Sequence, residues 1–223
     1  YVITSLGDEG SVSPQDLQGI NGGLSQNYAL GVNIDASATA GWTNGFAPIG
    51  AINGAEFTGS FDGLGHTITN LQISRPLQNN VGLFSATLNA DIRNVGLVDA
   101  SISGMHNVGA LVGNAGGGSI VHAYSTGLVS ATGNYVGGLV GASSQITIDA
   151  SHSAADVSGV DAVGGLVGQN YGNSATISNS FATGNVSSSI NLISQDGFYG
   201  GRVGGLVGLN SGAINNSYAT GNV

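Results

Sequence analysis

The hexapeptide Val-Gly-Gly-Leu-Val-Gly is written at residues 136–141, 163–168 and 203–208, and Val-Gly-Ala-Leu-Val-Gly stands at 108–113. The opening valines Val81, Val108, Val136, Val163 and Val203 are 27, 28, 27 and 40 residues apart. A second stretch keeps the same beat. SIVHAYSTGLV (119–129), TIDASHSAADV (147–157), TISNSFATGNV (176–186) and AINNSYATGNV (213–223) align without gaps, and their isoleucines Ile120, Ile148, Ile177 and Ile214 are 28, 29 and 37 apart. DIRNVGLVDASI (91–102) is an earlier, degenerate copy. Self-similarity at a period of this size marks a solenoid, in which each unit packs mainly on its neighbours. The long last interval holds SSINLISQDGFYGGR (188–202), an insertion of roughly ten residues that leaves both flanking phrases intact and so must leave the stack as a loop.

Propensity chooses the kind of solenoid. Helical repeats need runs of Ala, Leu, Glu, Lys and Arg, whereas these units are built from Val, Ile, Thr, Ser, Asn and Gly, which favour short strands joined by turns. One repeat therefore reads as one coil of a parallel β-helix holding about three strands. At a strand spacing of about 4.8 Å, five or six coils make a rod roughly 25–30 Å long. Residues of equal phase then stack: Val, Leu and Ile inside, Asn and Ser as hydrogen-bonded ladders. Glycine at a fixed phase serves left-handed bends and close backbone approach. In-register charges would meet their own sign, which fits a charged fraction of only 7%.

Residues 1–80 lack the phrase. NYALGVNIDAS (27–37) reads as a strand, FTGSFDGLGHTI (57–68) as a hairpin-like return into the first coil, and TITNLQI (67–73) as a coil strand resembling DIRNVGL. The chain divides into a decorated amino-terminal β section, 1–80, and a repeat β-helix, 81–223, forming one continuous domain cut from a larger protein.

Charge narrows the partners. Lysine is absent, the cations are Arg75, Arg93 and Arg202, and the net charge is -9, which disfavours nucleic acid and anionic membrane surfaces. No apolar run approaches the ~18 residues of a membrane span, so membrane insertion is not expected. Without cysteine there is neither a disulfide scaffold nor a thiolate metal site. Among the acids, Asp149, Asp156 and Asp161 share one coil and can be weighed as the carboxylate pair of a polysaccharide hydrolase, but there is no lysine or nearby arginine to serve a lyase. His152 shares a column with Tyr124, Phe181 and Tyr218 and reads as a packed ring, while His122 aligns with Ala150, Asn179 and Asn216. No cofactor is expected. The nine-residue calcium repeat is absent, leaving Ca2+ only turn carbonyls and an Asp.

VGGLVGQNYGNSATISNSFATGNV (163–186) and VGGLVGLNSGAINNSYATGNV (203–223) resemble the GLUG repeat, and FTGSFDGLGHTITNLQI resembles the segment that leads into such repeats. The likeness is strong over 81–223 and looser over 27–80. It implies filamentous-haemagglutinin-like adhesins exported by two-partner secretion through an outer-membrane transporter, or the non-catalytic parts of immunoglobulin A peptidases. The fold it implies, together with the general crossover preference, is an all-β right-handed parallel β-helix of about 27–28 residues per coil. The function implied is a non-catalytic structural and adhesive segment of a secreted, cell-surface or biofilm protein, meeting a host or bacterial glycan, an exopolysaccharide or a protein receptor.

The alternatives are a dedicated carbohydrate-binding module and, in another class, a β-helical polysaccharide lyase or hydrolase. Sugars are held by aromatic faces beside amides and carboxylates. The candidate residues are Trp42 and, in the insertion, Gln195, Asp196, Phe198 and Tyr199, with Tyr135 and Tyr171 as further exposed aromatics. A loop outside the repeat is where binding is grafted onto a rigid scaffold.

Overall fold

The computed structural model describes residues 1–50, 55–189 and 201–223. All pairings between its named strands are parallel, and the strands form four sheets that run along one solenoid. The coil beginning at Val136 shows the plan. Val136–Gly137 belongs to a four-stranded sheet, and a bend at residues 138–139 leads into Val140–Ser144 of a five-stranded sheet. Thr147–Asp149 then joins an eight-stranded sheet, and His152–Ser153 with Asp156–Gly159 a ten-stranded one. The coils that carry the phrase from Val108 onward thus visit four sheets, more than the three strands that repeat length suggests, because the glycine phrase itself breaks into two strands. The eight-stranded sheet starts at Val2–Ile3 and ends at Ala213–Asn215, giving about seven turns rather than five or six. The additional turns come from residues 1–80.

The repeat phase is the stacking register. Tyr28, Phe61, Ile92, Ile120, Ile148, Ile177 and Ile214 lie one on the next. So do Val81, Val108, Val136, Val163 and Val203. In the phrase at 163–168 both Leu166 and Val167 are fully buried. The bend before Val167 resets strand parity, so two successive residues face inward.

Glycine and left-handed backbone turn out to be separate devices. No glycine of the phrase has a positive φ. A Cβ on Gly137 would overlap the carbonyl oxygen of Val140 and the backbone nitrogen of Gly168, and one on Gly141 the backbone of Val108 in the previous coil. Close approach, not conformational freedom, therefore demands glycine here. The corners are instead turned by left-handed residues in columns. Asn94, His122, Ala150, Asn179 and Asn216 have φ of 47–54°, and Asn80, Asn107, Tyr135 and Ala162 have φ of 52–64°. Asparagine tolerates this conformation better than other side chains with a Cβ.

Residues 1–80 join the same sheets. Asn27–Leu30 and Ile34–Asp35 lie on two different sheets, so the single strand expected over 27–37 is broken by a corner. The hairpin expected within 57–68 does not form. Ser60–Asp62 pairs in parallel with Asn27–Leu30 and Asp91–Arg93, and Thr67–Thr69 pairs with Ile34–Asp35 and Gly96–Gly104. TITNLQI is a coil segment as expected, lying against GLVDASI (96–102), which overlaps only the last two residues of DIRNVGL. Two excursions leave the coils. One carries the 3-10 helix Gln18–Gly22, whose Ile20 is fully buried beside Leu17. The other, with residues 43–50 and 55–58, places Ile49 against Phe84 and Phe57 against Thr87, extending the five-stranded sheet. Phe57 and Phe61 both pack on Phe84, with centroids 4.8 and 5.4 Å away.

Candidate functional site

Many polar side chains are used between coils. Asp62 receives Arg93 Nε at 2.8 Å and Asn94 Nδ2 at 3.0 Å. Asp149 receives Ser178 Oγ at 2.6 Å and Asn179 Nδ2 at 2.8 Å. Asp156 receives the backbone N–H and the amide of Asn185, and Asp161 is paired with the Arg202 guanidinium. The Arg202 bonds hold the Asp161 carboxyl at about 2, well below an ordinary carboxylate. Donation by Ser178, then Asn179, likewise lowers Asp149. Asp149 lies on the eight-stranded sheet, Asp156 on the ten-stranded sheet and Asp161 at the corner beyond it. The three acids of this coil thus face different neighbours, each engaged with the following coil. Among the described residues no cluster of three or more His, Asp or Glu has metal-binding geometry.

Inside, Ser143 Oγ donates to Asn170 Oδ1 (3.1 Å) and Asn170 Nδ2 to Asn210 Oδ1 (2.8 Å), a buried polar ladder. Outside, Tyr124, His152, Phe181 and Tyr218 stack with centroids 5.0, 4.5 and 5.2 Å apart and planes within 7° of parallel. His152 is thus the packed ring that its column implies, and burial lowers its pKa below the ordinary histidine value. The ring faces between these four are spent on one another, while Tyr218 at the end of the stack is 55% exposed.

Trp42 is half-buried, stacked on Phe46 at 6.3 Å and packed on the core rather than standing free as a sugar platform. Tyr135 turns a left-handed corner (φ 64°), and Tyr171 is 60% exposed. Gln195, Asp196, Phe198 and Tyr199 lie outside the described residues.

The structure assembles a different cleft, of about 420 Å3, from Ala47, Pro48, Gly50, Glu56, Arg75, Gln78, Asn79, Asn80, Ser85, Ala86 and Asn114. Its first wall is the excursion at 47–50, which is clamped from below. Buried Gln18 donates Nε2 to Ala47 O (3.1 Å) and accepts the Ala47 N–H (3.0 Å), and Asn21 Oδ1 accepts the Gly50 N–H (2.9 Å). The second wall is the turn at 75–80. The Arg75 N–H donates to Ser103 O (2.9 Å), the Gln78 N–H to Arg75 O (2.9 Å), and the Met105 N–H to Gln78 O (2.8 Å). Asn107 Nδ2 holds Asn80 Oδ1 (2.7 Å). The floor comes from Phe84–Leu88 and Val112–Gly116. Arg75 and Gln78 also line a second depression of about 350 Å3 with Asn44, Pro76 and Leu77.

Arg75 differs from the other two cations. Arg93 and Arg202 each carry a carboxylate from the preceding coil. Among the described residues Arg75 has one weak side-chain bond, Nη1 to Gln78 Oε1 at 3.4 Å, and its buried Nε has no partner. Burial pulls its pKa down, partly opposed by Glu9. An unpaired buried donor costs about 1–3 kcal/mol. The signal for this site was present in the chain, since Arg75 is the one cation lying outside the repeat columns. Its surroundings come from the non-repeating excursions.

The GLUG motif model matches residues 159–187 and 199–223. The chain is 38% identical over 153 residues to halomucin of Haloquadratum walsbyi, covering 63% of this chain and 2% of that protein. It is 30% identical over 199 residues to an immunoglobulin A1 protease of Streptococcus pneumoniae and 32% identical over 201 residues to that of Streptococcus sanguinis, in both cases over 86% of this chain and 10% of the relative. A crystal structure from Bacteroides ovatus, of a protein named for immunoglobulin A1 protease, superposes over 98% of this chain and 65% of its own with a TM-score of 0.72 at 24% identity. That likeness shows the shared solenoid fold.

Proposed function

We propose that this chain is a non-catalytic structural and adhesive β-solenoid of a large secreted surface protein, a stiff segment that carries binding surfaces away from the cell. The observation that carries the reading is the destination of the acidic side chains. Asp62, Asp149, Asp156 and Asp161 each take donors from the next coil, which rigidifies the rod and occupies the groups that hydrolysis would use. The comparisons support a transferable unit. The same segment amounts to 2% of halomucin and 10% of the immunoglobulin A1 proteases, so it fits a module shared by differently named proteins better than the chemistry of either.

Outside the cell, its partners are a surface glycan, an exopolysaccharide or a protein receptor. A cysteine-free chain with contacts between adjacent coils also suits passage through an outer-membrane transporter and folding coil by coil.

The test displays the full chain on a non-adherent bacterium and measures attachment to glycan-coated surfaces, while purified chain is incubated with immunoglobulin A1 and with polyuronates. Attachment should rise and no cleavage products should form. Unchanged attachment removes the adhesive reading. Cleavage lost in Asp149→Asn assigns catalysis instead.

A further inference from the structure

We infer that the cleft around Arg75 binds a terminal saccharide carrying one carboxylate, a uronic or comparably acidic sugar. This deepens the adhesive reading and rests on it. The cleft volume of about 420 Å3 falls in the range of small-ligand sites. Its lining carries the amides of Gln78, Asn79 and Asn114 beside one guanidinium, with Asn80 Oδ1 already accepting from Asn107 and Ser85 Oγ donating to Asn80 O. Amides that both donate and accept suit a polyhydroxylated ligand. A planar guanidinium suits the two oxygens of a carboxylate.

The guanidinium is the informative group. In a chain of net charge -9, two of three arginines are neutralised by aspartates across coils, while Arg75 is half-buried with an Nε that has no partner among the described residues. The lining holds this cation beside one carboxylate, Glu56, so a phosphate dianion or a polyanion would meet too little positive charge, and a single carboxylate must dock on the Arg75 side. The neighbouring carboxylates leave room for this ligand. Glu9 is turned to the backbone N–H of Thr43 (3.0 Å), and Glu56 lines the cleft as an acceptor for hydroxyls. Beside the cleft, Pro76 and the 89% exposed Leu77 border the second depression, which offers apolar contact to the carbon face of a pyranose ring. The walls are preformed by the Gln18, Asn21 and Asn107 bonds, so binding needs little ordering of the chain.

The experiment titrates the full chain with glucuronate, glucose and sodium sulfate by calorimetry, and repeats the glucuronate titration with Arg75→Gln and Asn114→Ala. Glucuronate should bind, glucose at least tenfold more weakly, and sulfate should compete poorly. Arg75→Gln should weaken glucuronate at least tenfold without lowering the melting temperature, and Asn114→Ala severalfold. Glucuronate binding that survives Arg75→Gln overturns the site, and equal binding of glucose overturns the acidic assignment. Sulfate binding as tightly as glucuronate reduces the cleft to a simple anion site. Attachment of displaying cells that persists without glucuronate binding leaves the adhesive reading standing and this one refuted; loss of both refutes both.

Discussion

The imidazole of His152 stacks face to face on the ring of Phe181, with centroids 4.5 Å apart and planes 7° from parallel. Tyr124 covers its other face at 5.0 Å. Burial lowers the pKa of His152, so below about pH 6.5 the unfolded chain takes up a proton that the folded chain resists. The contribution of this site is therefore complete above that pH and is lost as pH falls. His152→Phe, which makes the ladder uniform, should stabilise the fold by about 0.5–1 kcal/mol at pH 7.5. It should gain further on the wild type at pH 5. Urea midpoints at the two pH values measure both effects, and a constant difference between the proteins would exclude the titration.

The first glycine of the phrase, invariant at Gly109, Gly137, Gly164 and Gly204, should tolerate no Cβ. Gly137→Ala would drive its methyl into the Val140 carbonyl and should cost about 3 kcal/mol or more. The control is Gly41, in the 3-10 helix Ser37–Gly41, where an added Cβ meets nothing within 4 Å and φ is not positive. Gly41→Ala should stabilise by about 0.4–1 kcal/mol, by restricting the unfolded chain. Thermal melts of the two variants should move in opposite directions.

The buried amide ladder gives a third expectation. Asn170 is fully buried and bonded to Ser143 and Asn210. Asn170→Ala should cost about 2–3 kcal/mol through lost bonds and unfilled volume. Ser143 Oγ has a second acceptor in Gln169 O (3.1 Å) and so stays bonded when Asn170 is truncated; Ser143→Ala removes a single hydroxyl and little volume and should cost less. The double variant should fall short of the sum of the single ones, as measured by denaturant unfolding.

Left-handed corners supply a stabilising change. Ala150 has φ 47° in a column otherwise occupied by Asn94, His122, Asn179 and Asn216. Ala150→Asn should raise stability by about 0.5–1 kcal/mol, from backbone preference alone. The gain has no side-chain component because the residue below, corresponding to Asp149 below Asn179, is Val121. A fall in melting temperature would contradict it.

Reading the chain against itself located the isoleucine and valine columns and the His152 stack, because in a solenoid the contact partner of a residue is its own phase one period away. It misplaced the amino-terminal strands. FDGLGHT carries extra residues at its corner, which shifts TITNLQI onto GLVDASI and leaves no hairpin. Trp42 looked like a platform because aromatic chemistry is visible in sequence, whereas its packing on Phe46 is not.

The sequence by itself determined the class of fold, the period and the residues that stack, since a repeated geometric demand leaves a repeated spelling. The tertiary structure alone decided why the phrase needs glycine, which corners are left-handed, and where Arg75 stands. The cleft joins Ala47, Pro48, Gly50 and Glu56 with residues 75–80, 85–86 and 114, held by Gln18 and Asn21. Those segments recur nowhere in the chain, so no internal comparison brings them together, and only the folded path of the two excursions does.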